Sequence, residues 1–169
     1  NETVLNLGAL KPIFKAAFGS EDALSLWFSK LLHLSTVCIT TTVKSNFAEL
    51  ARITLDAVAA NYKIQLTEGQ RTELLGAFSN LSAYSDIKPA LSRLRQHGFK
   101  VVALSNSSLT LIATQMKYAQ LTDYFDDILS VEETGSFKPD PRVYAFAAQK
   151  LQQPIDQLCL VATHDWDTH

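Results

Sequence analysis

Three short polar clusters hold the residue types that could do chemistry in this chain. They are Ser105-Asn106, the lysine of Ser136-Phe137-Lys138-Pro139-Asp140-Pro141-Arg142-Val143-Tyr144, and His164-Asp165-Trp166-Asp167. Lys138 is the most telling residue. It stands between a strand-like run and a marked helix start, where Asp140 is a good N-cap and Pro141 takes the first helical position, at which its missing N–H costs nothing. A lysine at such a junction reaches from a loop into the space above a sheet edge. Open parallel sheets bind their ligands there, in the crevice outside the carboxyl ends of the strands. Each cluster also has a plainer reading. Ser-Asn after a strand is a common turn and cap, Asp165 and Asp167 are residue types that cap helices, His164 fits a surface position, and Trp166 fits packing. Their occurrence together, in order, at three strand ends is what singles them out.

The elements that must position these clusters fall into two textures. From about Leu10 to Tyr84 the pattern is helical. Leu24, Trp27, Leu31 and Leu34 recur at spacings of three and four and mark one apolar helical face. Phe47, Leu50, Ala51, Ile53 and Thr54 suggest a second helix capped by Ser45 or Asn46, and Thr67 with Gln70 resembles the capping box of a third. From Asp86 onward, helices and strands alternate. Asp86 to His97 reads as a helix closed by Gly98, Phe99 to Leu104 as a buried strand, and the segment after Ser105-Asn106-Ser107-Ser108 as a helix through Tyr118. Phe125 to Val131 reads as a second strand, Asp140 to Leu151 as a helix, and Leu158 to Ala162 as a third buried strand. This alternation means a parallel sheet in a layered α/β domain.

The chain has 169 residues, 47% of them apolar and 19% charged, with a net charge of −2. These values suit one globular domain, or one domain with an insertion, and give no electrostatic footprint for nucleic acid. No apolar run reads as a membrane span, and no basic segment followed by an apolar one opens the chain. Cys38 and Cys159 lack metal-ligand spacing and read as two buried free thiols in a reducing compartment. His33, His97, His164 and His169 form no zinc pattern.

Taken together, these residues resemble the haloacid dehalogenase superfamily, and within it the type II L-2-haloacid dehalogenases. Leu104-Ser105-Asn106 is similar to the family's second motif and Phe137 to Tyr144 to the third. Val161-Ala162-Thr163-His164-Asp165-Trp166-Asp167 is similar to the fourth, and Asn1 to Leu7 to the tail of the first, with Thr3 as its threonine. The resemblance implies a Rossmann-like parallel sheet core with an inserted all-helical cap. Residues 1–9 would be a remnant of the first core motif, 10–85 the cap, and 86–169 the remaining core. It also implies a cytoplasmic, metal-independent hydrolase with no cofactor. Such an enzyme cleaves the carbon–halogen bond of a small 2-haloacid through an aspartyl ester, binds neither nucleic acid nor membrane, and pairs as a homodimer through the cap.

The residues carried over by the resemblance have defined roles. Lys138 would keep a carboxylate nucleophile ionised, Thr3 would hydrogen-bond it, Ser105 would donate to the substrate carboxylate, and Asn106 would cradle the departing halide. Asp167 would pair with Lys138 or position water, and Tyr144 would support the site. Asn1, Phe28, Leu32, Phe47 and Trp166 would line the substrate pocket. The nucleophilic aspartate lies four residues before the threonine, hence upstream of Asn1. The expectation is an internal piece of a longer protein, without the first strand and the C-terminal end.

Two departures stand out. Phe28 occupies the place of the family's cap arginine, which removes a charge-assisted contact worth about 1.5–3 kcal/mol to an anion. His164 occupies the place of an asparagine and is a candidate base toward water. Magnesium-dependent phosphatases of the superfamily carry carboxylates where this chain has Asn1 and Thr163, which leaves a poor oxygen set for magnesium. A phosphate-ester hydrolase is therefore the alternative enzyme reading. A catalytically silent fragment or pseudoenzyme is the alternative of a different class.

Overall fold

The computed structural model describes residues Asn1–His169. Four helices come first: α1 (Lys11–Phe18), α2 (Asp22–Thr41), α3 (Phe47–Asn61) and α4 (Glu68–Ala77). Their ends are set by local chemistry. Gly19 closes α1 at φ +75°, a left-handed conformation that costs glycine least. Asn46, rather than Ser45, caps α3 by accepting from Glu49 N, and Thr67 and Gln70 form a full capping box on α4. The core of this region is aromatic. Trp27 is fully buried against Phe14 and Phe78, and its indole Nε1 donates to Ala51 O at 2.9 Å, tying α2 to α3. Arg71 links α4 to α3 through Asp56 at 2.7 Å.

By length and a mean hydropathy of 1.3, α2 is long and apolar enough to cross a membrane, contrary to the reading that no such run exists. The sequence hides this because serine, threonine and histidine interrupt the apolar letters without lowering the mean much. In the fold, α2 is a core helix: Ala23, Leu24, Trp27, Phe28 and Leu31 are all buried.

The entry to the helical region and its exit lie side by side. Leu5 and Ala83 form an antiparallel bridge, with Asn6 N donating to Ser82 O at 2.8 Å and Tyr84 N to Val4 O at 3.1 Å. The chain then runs through α5 (Ile87–Gln96), β1 (Val102–Ser105), α6 (Leu109–Tyr118), β2 (Asp127–Ser130), α7 (Pro141–Leu151) and a final turn, α8 (Asp165–Thr168). Strands β1 and β2 are parallel, pairing Val102 with Asp127 through Ser105 with Ser130, so both end at the same edge. The buried amide of Gln115 on α6 donates to Phe78 O at 2.7 Å and joins the sheet layer to the helical region.

The structure corrects three expectations in this half. Leu158–Ala162 is extended but not a strand, with Val161 75% exposed and no ladder bond from 159–162. A strand exists only where a neighbouring backbone satisfies its N–H and C=O groups, and none is paired to this segment. The first strand begins at Val102, because Phe99 is 62% exposed and lies outside the ladder. Cys38 is buried as expected, whereas Cys159, on the unpaired segment, is exposed; both are free thiols.

Candidate active site at the strand ends

The carboxyl edge of β1 and β2 gathers most of the polar residues singled out above. Asn106 follows β1 directly, and its Oδ1 accepts from Lys138 N at 2.9 Å, which fastens the Lys138 loop to the strand end. The loop is held at its far end by Asp140. This carboxylate caps α7 through Arg142 N at 2.9 Å and accepts from Ser136 Oγ at 2.7 Å. The Arg142 guanidinium beside it, aided by Ser136 and against the effect of burial, holds the Asp140 carboxyl well below the usual range.

Lys138 Nζ forms an ion pair with Asp167 Oδ2, and both side chains are largely buried, 14% and 2% exposed. Tyr144, in the first turns of α7, donates to Asp167 Oδ1. Burial, then the hydrogen bond and charge of Asp167, push the Tyr144 phenol above its ordinary value of 10.0. Both oxygens of Asp167 are thus engaged. The plain helix-cap reading does not describe Asp167, whose carboxylate is spent on Lys138 and Tyr144. Nor does it describe Asp165, which is the first residue of α8 and accepts from the adjacent Trp166 N at 2.8 Å, while no side chain caps the helix.

Ser105 takes a local role. Its Oγ accepts from Ser107 N at 3.1 Å, and the actual cap of α6 is Ser108, which accepts from Leu111 N. Thr3 Oγ1 accepts from Thr163 N at 3.1 Å, and Thr163 Oγ1 donates to Glu2 O at 3.2 Å, so the first residues lie against the His164 turn. Asn1 has a buried Oδ1 without a partner. Phe47 is buried with its ring 6.4 Å from that of Phe137, bringing α3 against the Lys138 loop.

The remaining candidates line a cleft of about 470 Å³ between α2, the N-terminal segment and the His164 turn. Phe28, Leu32, His164 and Trp166 all face it. His164 stacks on Trp166 at 5.2 Å and lies 6.4 Å from the Phe28 ring. Lys138 and Asp167 do not line this cleft, so the residues carried over by the resemblance divide into an ion-pair cluster and a cleft wall. Sequence reasoning missed Glu2, whose Oε2 lies 3.0 Å from His164 Nε2, and the cleft residues Lys11, Ser25, Ser29 and His33. No spacing rule could have found them, because they meet only when α1 and α2 fold over the first residues.

Residues 21–161 match the sequence profile of the haloacid dehalogenase-like hydrolases. The chain belongs to this family. Among curated haloacid dehalogenase relatives, it is 30% identical over 166 residues to (S)-2-haloacid dehalogenase 1 of Pseudomonas sp. strain CBS-3, covering 96% of this chain and 72% of that protein. It is 31% identical over 152 residues to (S)-2-haloacid dehalogenase 4A of Burkholderia cepacia, spanning 64% of that protein's length. A crystal structure of a dehalogenase with an intermediate complex superimposes with a TM-score of 0.92 at 27% identity, covering 99% of this chain and 75% of that one. The α/β fold with a helical cap is therefore the fold of this haloacid dehalogenase-like hydrolase.

Proposed function

We propose that the protein hydrolyses the carbon–halogen bond of a small 2-haloacid. The observation that carries this reading is the arrangement of Lys138: its backbone is anchored by Asn106, and its ammonium is paired with an Asp167 whose second oxygen is taken by Tyr144. The names of the relatives support it. The proposed nucleophile is an aspartate four residues before Thr3. Its carboxylate attacks the halogen-bearing carbon, a C–O bond forms, the C–X bond breaks, and the electron pair leaves with the halide. Water then adds to the ester carbonyl, releasing the 2-hydroxy acid and regenerating the carboxylate, while the water proton passes to solvent or to a base.

In this reading Lys138 favours the ionised nucleophile, Thr3 hydrogen-bonds it, and Ser105 and Asn106 face the carboxylate and the halide. With both oxygens of Asp167 engaged, its proposed role is to hold Lys138 rather than to activate water. His164 is then the proposed base. Phe28, Leu32, Phe47, Trp166 and Asn1 are the proposed walls. We also infer a homodimer through the cap and a cytoplasmic setting.

Halide release by the full-length protein from a panel of 2-haloacids tests this reading. Release that disappears in Lys138→Met is the expected result. No release, together with turnover of another small acid or of a phosphate ester, would overturn it, and magnesium-dependent turnover would assign the phosphatase reading instead.

A further inference from the structure

His164, the proposed base, is held by groups from three parts of the chain. Its ring stacks on Trp166 at 5.2 Å and lies 6.4 Å from the Phe28 ring. Its Nε2 lies 3.0 Å from Glu2 Oε2, and both side chains are partly buried. Glu2 is the one carboxylate lining the cleft; the other titratable residues there, Lys11 on α1 and His33 on α2, carry no negative charge. An imidazole that gives the hydrogen on one nitrogen to a carboxylate has its other nitrogen free to accept a proton. Nδ1 of His164 has no partner within the protein. The backbone at Glu2 adds a second observation. Glu2 stands at φ +61°, a left-handed conformation that suits glycine and strains a residue with a Cβ. Glu2 N donates to Leu5 O at 3.0 Å, Glu2 O accepts from Thr163 Oγ1 at 3.2 Å, and Thr163 N donates to Thr3 Oγ1 at 3.1 Å. These bonds fasten residue 2 beside the residue that precedes His164. Glycine would make the same backbone bonds without strain, so what the glutamate adds is its contact with His164.

We propose that Glu2 is a positioning residue for the hydrolytic half of the reaction: its carboxylate takes the Nε2 hydrogen of His164, and Nδ1 takes a proton from the attacking water. The proposal rests on the reading of His164 as the base in ester hydrolysis. One O–H bond of the water breaks, the water oxygen bonds to the ester carbonyl carbon, and an N–H bond forms at Nδ1. The adduct then breaks its acyl C–O bond, the departing oxygen takes the second water proton to give the 2-hydroxy acid, and the imidazolium releases its proton to solvent. Glu2 stays ionised throughout, fixing the ring and stabilising the imidazolium. The displacement of halide uses no base, so Glu2 acts in the second half alone.

Single-turnover kinetics of the full-length protein with a 2-haloacid separates the two halves, since halide reports displacement and 2-hydroxy acid reports hydrolysis. Glu2→Gln should release its first halide as fast as the wild type, slow hydrolysis by about tenfold or more, and accumulate protein heavier by the ester group in mass spectrometry. His164→Asn should do the same, and the double variant Glu2→Gln,His164→Asn should be no slower than His164→Asn. Glu2→Gly should keep the hydrolysis defect while melting no lower than the wild type, because glycine suits that turn. Hydrolysis at the wild-type rate in either Glu2 variant, or a first halide release that slows together with hydrolysis, overturns the proposal. The low-field NMR resonance of the His164 Nε2 proton, expected in the wild type and absent from Glu2→Gly, reports the pair without any substrate. A wild type that lacks it overturns the proposal; one that shows it while no 2-haloacid yields halide keeps the pairing and discards the dehalogenase reading.

Discussion

The helical region and the sheet layer solve the same problem, the satisfaction of backbone polar groups, in opposite ways. From α1 to α4 each helix closes its own hydrogen bonds, Asn46 and Thr67 finish the starts of α3 and α4 through their side chains, and the helices then bury one aromatic core. In the sheet layer β1 is a strand only because β2 lies beside it, and Leu158–Ala162, no less apolar, stays unpaired and exposed. The first region is built from local rules. The second depends on distant partners, and its chemistry depends on them too, since Lys138, Asn106, Tyr144 and Asp167 meet only through the fold.

The sharpest way to break that contrast is at Trp27. Trp27→Ala removes a fully buried ring and the bond to Ala51, and is expected to destabilise the protein by about 3–5 kcal/mol. Urea melts followed by far-UV circular dichroism will check this, and a loss under 1 kcal/mol would show that α2 and α3 are not a packed unit. Next comes Lys138→Met, which leaves Asp167 buried without its cation. The cost should be about 3 kcal/mol, the lower end for a broken buried pair, because part of Lys138 reaches solvent. Lys138→Met should also end turnover, whereas Lys138→Met,Asp167→Asn should recover stability without recovering turnover.

A smaller effect belongs to Asp140. Asp140→Ala removes the cap of α7 and should cost about 1–2 kcal/mol near neutral pH. The folded-state carboxyl lies well below its ordinary value of 3.8, so its contribution is fully present above that pH and falls away progressively as pH drops from there toward the folded-state value. Melts of wild type and Asp140→Ala should therefore draw together progressively as pH falls below about 4; a gap that does not narrow with further acidification would mean that packing, not charge, holds the loop. The smallest expected effect is chemical. Exposed Cys159 should react first with a thiol reagent, while Cys38, buried and with its thiol pushed up by burial and then by Glu49, should lag. Equal rates would show that the helical region opens as readily as the unpaired segment.

What could be read from the letters follows the same division. Asn46, Thr67 with Gln70, Asp140 with Pro141, and Gly98 each finish a helix through neighbours within a few residues, so their types and spacing carried the information. Lys138 and Asp167 were legible through family resemblance; Asp167 follows a segment that is not a strand, so their pairing is set by the fold and not by a shared sheet edge. Leu158–Ala162 differs from its expectation because an apolar, β-branched run states a preference, while pairing is a property of the neighbour. Cys159 was misplaced with it. Ser105 and Asn106 were grouped as one cluster, yet they separate: Ser105 serves its own turn, and Asn106 reaches across to the Lys138 loop. Glu2 and Lys11 went unnoticed because a lone charge near a chain's beginning carries no periodic signal until the partner surfaces arrive.

The two hydrogen bonds that join Asn6 to Ser82 and Tyr84 to Val4 make the helical region a loop drawn shut at its neck. Once a neck is closed, the entropy of what hangs from it grows only with the logarithm of length, about 0.6 kcal/mol per doubling. Such a neck tolerates changes in length: loops between the helices can grow or shrink between Leu5 and Ala83 while the contacts of Phe78 with Gln115 and of Phe47 with Phe137 keep the lobe seated on the layer below. The covering of the cleft is thus free to vary at little thermodynamic cost, while the Lys138 cluster, outside the loop, stays where the sheet edge put it.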